Sequence, residues 1–305
     1  MKGLVKLYDI PRNNITFNTT ALDDIKEICF NSAYTTGDKN VDTVHALLYP
    51  GSSNEGVVFV HGLGDRNIDY LKFYPENLSK HGYTTIMPIL PYHLTRIPQH
   101  KSISFLSGTA ADIEKRFCQS VVDVLTCVDY LESLGLSKIH IMGFSFGGMI
   151  STIALSIDKR INKGIFAVAG GNFEYITWKS TATKVLRIRY EDEDSCSPEK
   201  CHELHKSFDD QIKSFHKLED LNLLPDCFRY DPSLYAKFID PKNILMFSSI
   251  FDPFIPKKSS DDLWTRLKNP KRYLLPSGHL TAHLLFKHFI LKKSLIFLQK
   301  NTSKD

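Results

Sequence analysis

Ile139-His140-Ile141-Met142-Gly143-Phe144-Ser145-Phe146-Gly147-Gly148 is a short apolar run that ends in Gly-x-Ser-x-Gly and passes into an apolar segment of helical character. The pattern predicts a strand, a sharp turn carrying the serine, and a helix: a nucleophile elbow. Such a turn is strained and needs small residues on both sides, since a side chain at Gly143 or Gly147 would strike neighbouring backbone. It lifts the Ser145 hydroxyl clear of the sheet and aims the Phe146 N–H at the place where an oxyanion would form. The five-residue pattern recurs by chance, so its weight comes from the rest of the chain.

Upstream, Val57-Val58-Phe59-Val60 is a continuous β-branched and aromatic run, as expected of a strand buried on both faces, and it leads into His61-Gly62-Leu63-Gly64-Asp65. A glycine-rich turn there can supply a second oxyanion donor, the Leu63 N–H. Downstream, Asn243-Ile244-Leu245-Met246-Phe247 reads as another buried strand, with Asp252 following in Ser248-Ser249-Ile250-Phe251-Asp252-Pro253. A last strand, Tyr273-Leu274-Leu275, runs into Pro276-Ser277-Gly278-His279. Serine, acid and histidine thus occur in that chain order, each on a loop leaving a strand.

These segments, spread from Val57 to His279, resemble the α/β-hydrolase superfamily, and within it the esterase-like members related to dienelactone hydrolases and acetyl-xylan esterases. The resemblance implies a mostly parallel central sheet with helices on both faces. It implies Ser145 as nucleophile, Asp252 as acid, His279 as general base, and Leu63 and Phe146 as oxyanion donors. It also implies a serine carboxylic-ester hydrolase working through an acyl-enzyme, with neither cofactor nor metal. One departure is the pair of bulky phenylalanines, Phe144 and Phe146, beside the serine, which suggests an apolar approach and places Phe144 among the substrate contacts.

Each catalytic assignment has a plainer rival. A serine hydroxyl is a poor nucleophile at neutral pH, so His279 must take its proton while Asp252 fixes the imidazole tautomer. Ser145 is alternatively the elbow of a catalytically silent binding protein, and Asp252 a turn cap before Pro253. His279 competes with His283 and His288, which fall in an apolar helical stretch and read as packing or surface residues. Among active enzymes, an amidase, a peptidase or an acyltransferase would use the same machinery.

Composition sets the outer limits. The 305 residues, 42% hydrophobic and 24% charged, suffice for one large core with an inserted subdomain. The net charge of +4 is mild and no basic cluster is interleaved with aromatics, so nucleic acid is not an expected partner. No apolar run reaches membrane-spanning length and residues 1–10 carry lysines and an aspartate, so a cytoplasmic protein with no integral membrane segment is expected. The expected partner is a small-molecule ester with an apolar acyl group; the oligomeric state is not encoded in any pattern. Cys29 sits in a strand-like run and reads as a small apolar residue. Cys196, Cys201, His202 and His205 invite a zinc reading, but their spacing fits no zinc pattern and the expected metal content is none.

In organisation, Ile28-Cys29-Phe30 and Val44-His45-Ala46-Leu47-Leu48-Tyr49 predict an antiparallel hairpin at the sheet edge. Strands and helices then alternate, as a parallel sheet with crossovers requires. The loop after the fourth strand, Pro91-Tyr92-His93-Leu94-Thr95-Arg96, leaves a carboxyl end, so His93 and Arg96 are candidate substrate contacts and Phe105 a candidate cleft residue. From Asn172 to about Asp240, nearly seventy residues separate two core strands, where a crossover needs only about a dozen. Residues 1–171 and 241–305 are therefore expected to form the core, and 172–240 a helical lid inserted over the catalytic face, with Phe173, Tyr175, Trp178, Leu186 or Phe208 turned towards it.

Overall fold

A computed structural model describes residues 6–63, 67–99, 103–181, 183–192, 196–224 and 226–300. Among the described residues nine strands form one sheet: β1 Asn18–Leu22, β2 Ile25–Asn31, β3 Thr43–Tyr49, β4 Glu55–Val60, β5 Thr84–Pro88, β6 Lys138–Phe144, β7 Ile161–Ala167, β8 Ile244–Ser249 and β9 Lys271–Leu275. Their spatial order is β1-β2-β3-β5-β4-β6-β7-β8-β9. The first three strands run antiparallel to their neighbours and the remaining pairs are parallel. The expected edge hairpin is therefore one strand short of the edge: β1 lies outside it, which makes the run at 84–88 the fifth strand in the chain.

The helices are α1 Lys39–Asp42, α2 Phe73–Lys80, α3 Ala110–Ser133, α4 Phe146–Ile157, α5 Phe173–Lys179, α6 Lys184–Asp192, α7 Pro198–Ser214, α8 Asp226–Arg229, α9 Pro232–Tyr235, α10 Lys257–Arg266 and α11 His279–Gln299. Strand alternation divides the apolar side chains between two faces. Val58 and Val60 join the core under α3 and α4, whereas Val57 and Phe59 join the one under α2 and α11. Both faces being covered explains why the parallel strands read as unbroken apolar runs. α3 begins with a capping box, Thr109 accepting from the Asp112 N–H and Asp112 from that of Thr109.

Between β7 and β8, α5 to α9 form the helical segment expected from the length of the interval. Its two ends are held by one carboxylate: buried Asp231 accepts from the N–H groups of Asn172 at 2.9 Å, Phe173 at 2.7 Å and Ser233 at 2.9 Å. Arg229 binds Glu114 of α3 through two bonds of 2.8 and 3.0 Å, fixing α8 to the core. The six cysteines form no disulfide. Cys196, Cys201, His202 and His205 do not converge: His202 pairs with Glu174 at 2.9 Å, and the His205 ring packs on Phe228 at 4.5 Å. Among the described residues no helix is long and apolar enough to cross a membrane.

Candidate active site

β6 ends at Phe144 and α4 starts at Phe146, so the turn consists of Ser145 alone. Ser145 has φ +54° and ψ −120°, a backbone conformation that non-glycine residues rarely adopt and that surrounding structure must hold in place. Its N–H donates to the Ala167 carbonyl at 2.8 Å, and its own carbonyl accepts from Gly148 at 2.9 Å and Met149 at 3.3 Å. The glycines are required by contact: a Cβ on Gly143 would strike the Gly147 carbonyl, and one on Gly147 the carbonyls of Val60 and His61. As the first residue of α4, Phe146 has no intrahelical acceptor for its N–H.

Asp252 lies in the loop after β8 and His279 opens α11 after β9. His279 Nδ1 is 2.6 Å from Asp252 Oδ2, and both side chains are largely buried. The other carboxylate oxygen accepts from the Phe254 N–H at 2.8 Å and the Ile255 N–H at 2.9 Å. With three donors around it the carboxylate stays an acceptor, so the proton of His279 belongs on Nδ1 and Nε2 keeps its lone pair. His283, the nearest rival, is buried one helical turn on, its ring against Tyr70 at 5.1 Å and Tyr74 at 5.6 Å.

His61, quoted above only as part of a motif, has a definite task. It is fully buried; its Nε2 accepts from the Leu90 N–H at 2.9 Å, which puts its proton on Nδ1, and Nδ1 donates to the Gly62 carbonyl at 2.7 Å. The imidazole thus ties the Gly62-Leu63 turn to the end of β5. Gly64 and Asp65 lie outside the described residues. Signals for this role were present in the sequence, since a histidine preceding Gly-x-Gly at a strand end can brace the turn through its ring.

The other candidates separate cleanly. Phe144, Leu63 and Phe146 line one cavity of about 650 Å³ together with Ser145 and His279. Arg96 and His93 do not, and the structure corrects both assignments. Arg96 is wholly buried; its guanidinium donates to Val41 O at 2.8 Å and Ile89 O at 2.8 Å and lies 2.8 Å from Asp123, itself fully buried. A cation wholly buried and paired in this way is a strut inside the core, out of reach of a ligand. His93 is buried with its ring edge on His61 at 5.0 Å and Nδ1 on Pro91 O at 2.9 Å, so it supports the brace from behind. Tyr92 (φ 67°) and Leu94 (φ 45°) of this loop adopt positive φ angles. Phe105 stands behind Phe146, ring to ring at 4.8 Å, and does not line the cavity.

Part of the cavity wall comes from the segment between β7 and β8, with Phe173, Ile176, Trp178, Leu186, Tyr190 and Leu204. Phe173, Trp178 and Leu186 line the same cavity as Ser145; Tyr175 does not, and the Phe208 side chain lies outside the described residues. Phe117 and Ile113 of α3 close one side.

Burial also shapes the acid limit of stability. Desolvation, reinforced by neighbouring His93, drives the pKa of His61 from 6.5 to about 3, and desolvation drives that of His140 to about 4 against the pull of Glu55. Their unfolded forms take up protons below pH 6.5 while the folded forms do not, so stability is full above the unfolded pKa and falls as pH drops towards the folded one. Each contributes about 1.4 kcal/mol per pH unit across that window. Melting temperature is therefore expected to fall steadily from pH 6.5 to pH 4, and less steeply in His140→Gln. Equal slopes for the two proteins would remove His140 from the account.

A sheet of this order, with a serine at the β6–α4 elbow, a carboxylate after β8 and a histidine after β9, defines the α/β-hydrolase fold, and this chain has it. Residues 56–194 match the family model described as alpha/beta hydrolase fold. Among solved structures the chain is similar to an acetyl xylan esterase from Paenibacillus sp. R4, with 15% identity, TM-score 0.64, and 91% of this chain and 88% of that one covered. It is also similar to the alpha/beta hydrolase GrgF from Penicillium sp. sh18, with 16% identity, TM-score 0.62 and 92% and 99% covered. The esterase Pf2001 of Pyrococcus furiosus aligns at 14% identity, TM-score 0.55, with 94% and 92% covered. No curated protein sequence matches the chain.

Proposed function

We propose that the chain is a serine carboxylic-ester hydrolase with Ser145 as nucleophile, His279 as general base and Asp252 as the acid that orients it. The observation that carries this reading is the 2.6 Å contact from His279 Nδ1 to Asp252, made by a histidine that shares a cavity with an elbow serine. His279 Nε2 removes the Ser145 proton as the hydroxyl attacks the ester carbonyl, and Asp252 stabilises the imidazolium that results. The N–H groups of Phe146 and Leu63 receive the oxyanion. The imidazolium then protonates the departing alcohol, leaving an acyl-enzyme, and water activated by the same histidine releases the acid.

The segment 172–240 acts in this reading as a lid whose apolar side chains receive the acyl group, which favours uncharged, hydrophobic acyl chains. Similarity to the esterases named above supports the same reaction class. A fluorophosphonate probe tests the proposal at its centre: the purified chain should take up one probe, located by mass spectrometry on Ser145. A chain that is folded and unlabelled, or labelled elsewhere, would refute it.

A further inference from the structure

The antiparallel end of the sheet holds a group of side chains that catalysis does not use. Glu27 and Cys29 are two residues apart on β2 and share a face, opposite the buried Ile28 and Phe30. His45 on β3 stands directly across the ladder from Cys29. Its Nδ1 lies 3.2 Å from Cys29 Sγ and 2.9 Å from Glu27 Oε1, and the three ligand atoms all fall within 4.8 Å of one another. Contrary to the apolar role expected for Cys29, its sulfur has two polar neighbours and partial access to solvent.

We propose that Glu27, Cys29 and His45 bind one zinc(II) ion, a site that clasps β2 to β3. Ligand atoms around a tetrahedral zinc ion, at bond lengths of roughly 2.0–2.3 Å, stand about 3.3–3.8 Å apart. The two separations to His45 Nδ1 need to open by only a few tenths of an ångström, within the reach of side-chain rotation. A thiolate, an imidazole and a carboxylate together match the borderline softness of zinc better than that of magnesium or calcium, which take oxygen donors. Thiolate and carboxylate also neutralise the ion's two charges. All three residues are partly open to solvent, and Cys29 also lines a concavity of about 370 Å³ with Asn18, Asn31 and Thr43, so water can complete the shell. Burial and the nearby Glu27 raise the Cys29 pKa, so the thiol is protonated without metal; binding forms the sulfur–zinc bond and releases that proton to solvent.

This site is separate from the catalytic one. Strands β3, β5 and β4 stand between β2 and the elbow strand β6. Its role is to staple an edge whose outermost strand, β1, is exposed along its whole length. Reading it does not depend on the esterase proposal.

The test is a zinc titration of the chelator-treated full chain against a competing chromophoric chelator. One equivalent should bind, the melting temperature should rise, and cobalt(II) should give a thiolate charge-transfer band in the near ultraviolet. Cys29→Ser and His45→Gln should each weaken zinc binding at least tenfold and abolish the cobalt band, whereas Cys201→Ser and Ser145→Ala should leave both unchanged. In the unsubstituted chain, zinc should protect Cys29 from alkylation as read by peptide mass spectrometry, which requires no variant to fold. Absence of one-equivalent binding, binding that survives in folded Cys29→Ser, or alkylation of Cys29 unaffected by zinc would each overturn the site.

Discussion

Ser145→Ala is expected to lower kcat for ester hydrolysis by roughly 10⁴–10⁶-fold, with the melting temperature close to that of the parent chain. The loss is large because the serine forms the covalent bond, and the fold survives because the strained turn is held by backbone contacts to Ala167, Gly148 and Met149 that the hydroxyl does not make. His279→Ala should cost about as much, and the double variant no more than either single one, since nucleophile and base act as a unit. Asp252→Asn separates geometry from electronics. An asparagine oxygen still accepts from the Phe254 and Ile255 N–H groups, but its amide then presents hydrogens to Nδ1, driving the proton to Nε2 and removing the base; a loss on the order of 10⁴ in kcat follows. Substantial turnover by pure, folded Ser145→Ala protein would eliminate the proposed nucleophile.

The second large effect concerns acyl length. If the acyl chain of the substrate lies against Phe173, Ile176 and Leu186, each methylene that enters leaves water, which is worth ~0.8 kcal/mol, or about fourfold in kcat/KM. A p-nitrophenyl ester series should therefore climb on the order of a thousandfold between acetyl and octanoyl and then level off where the 650 Å³ cavity is full. Esters of dicarboxylic half-acids should fall below the trend, because a carboxylate would have to be desolvated among aromatic and aliphatic side chains. A flat series would defeat the role given to the 172–240 segment while leaving the catalytic residues untouched.

Much of this was readable from residues alone, and the reasons differ by element. β4, β6 and β8 are buried on both faces, so their apolar runs were unbroken, and the loops that follow them carry Leu63, Ser145 and Asp252 of the proposed site. β1 was invisible because all five of its residues are exposed and no alternation marks it. The early part of α3 carries charge that the fold encloses: Glu114 is buried against Arg229, and Arg116 donates to the Phe105 carbonyl at 2.7 Å. Arg96 misled for the same physical reason. Buried charge is tolerable only with partners, and the partners here are Val41 and Asp123, distant in sequence, so a local reading sees a loop cation where the fold makes a strut. Cys29 looked apolar until a neighbouring strand set His45 opposite it.

The clasp at Asp231 separates two jobs that one chain must do. Because the carboxylate gathers N–H groups from both the entry and the exit of the inserted segment, the distance between those ends is fixed locally, independent of what lies between them. Loop-closure entropy rises only slowly with length, by about 0.6 kcal/mol for a doubling, so a segment with a closed neck tolerates wholesale change in its interior. The elbow keeps its geometry from β6, β7 and α4 while the pocket wall is free to vary. On the proposed function, chemistry and choice of substrate would thus be separately heritable in this molecule, a new specificity arising by exchange of the roof without disturbing the foundations.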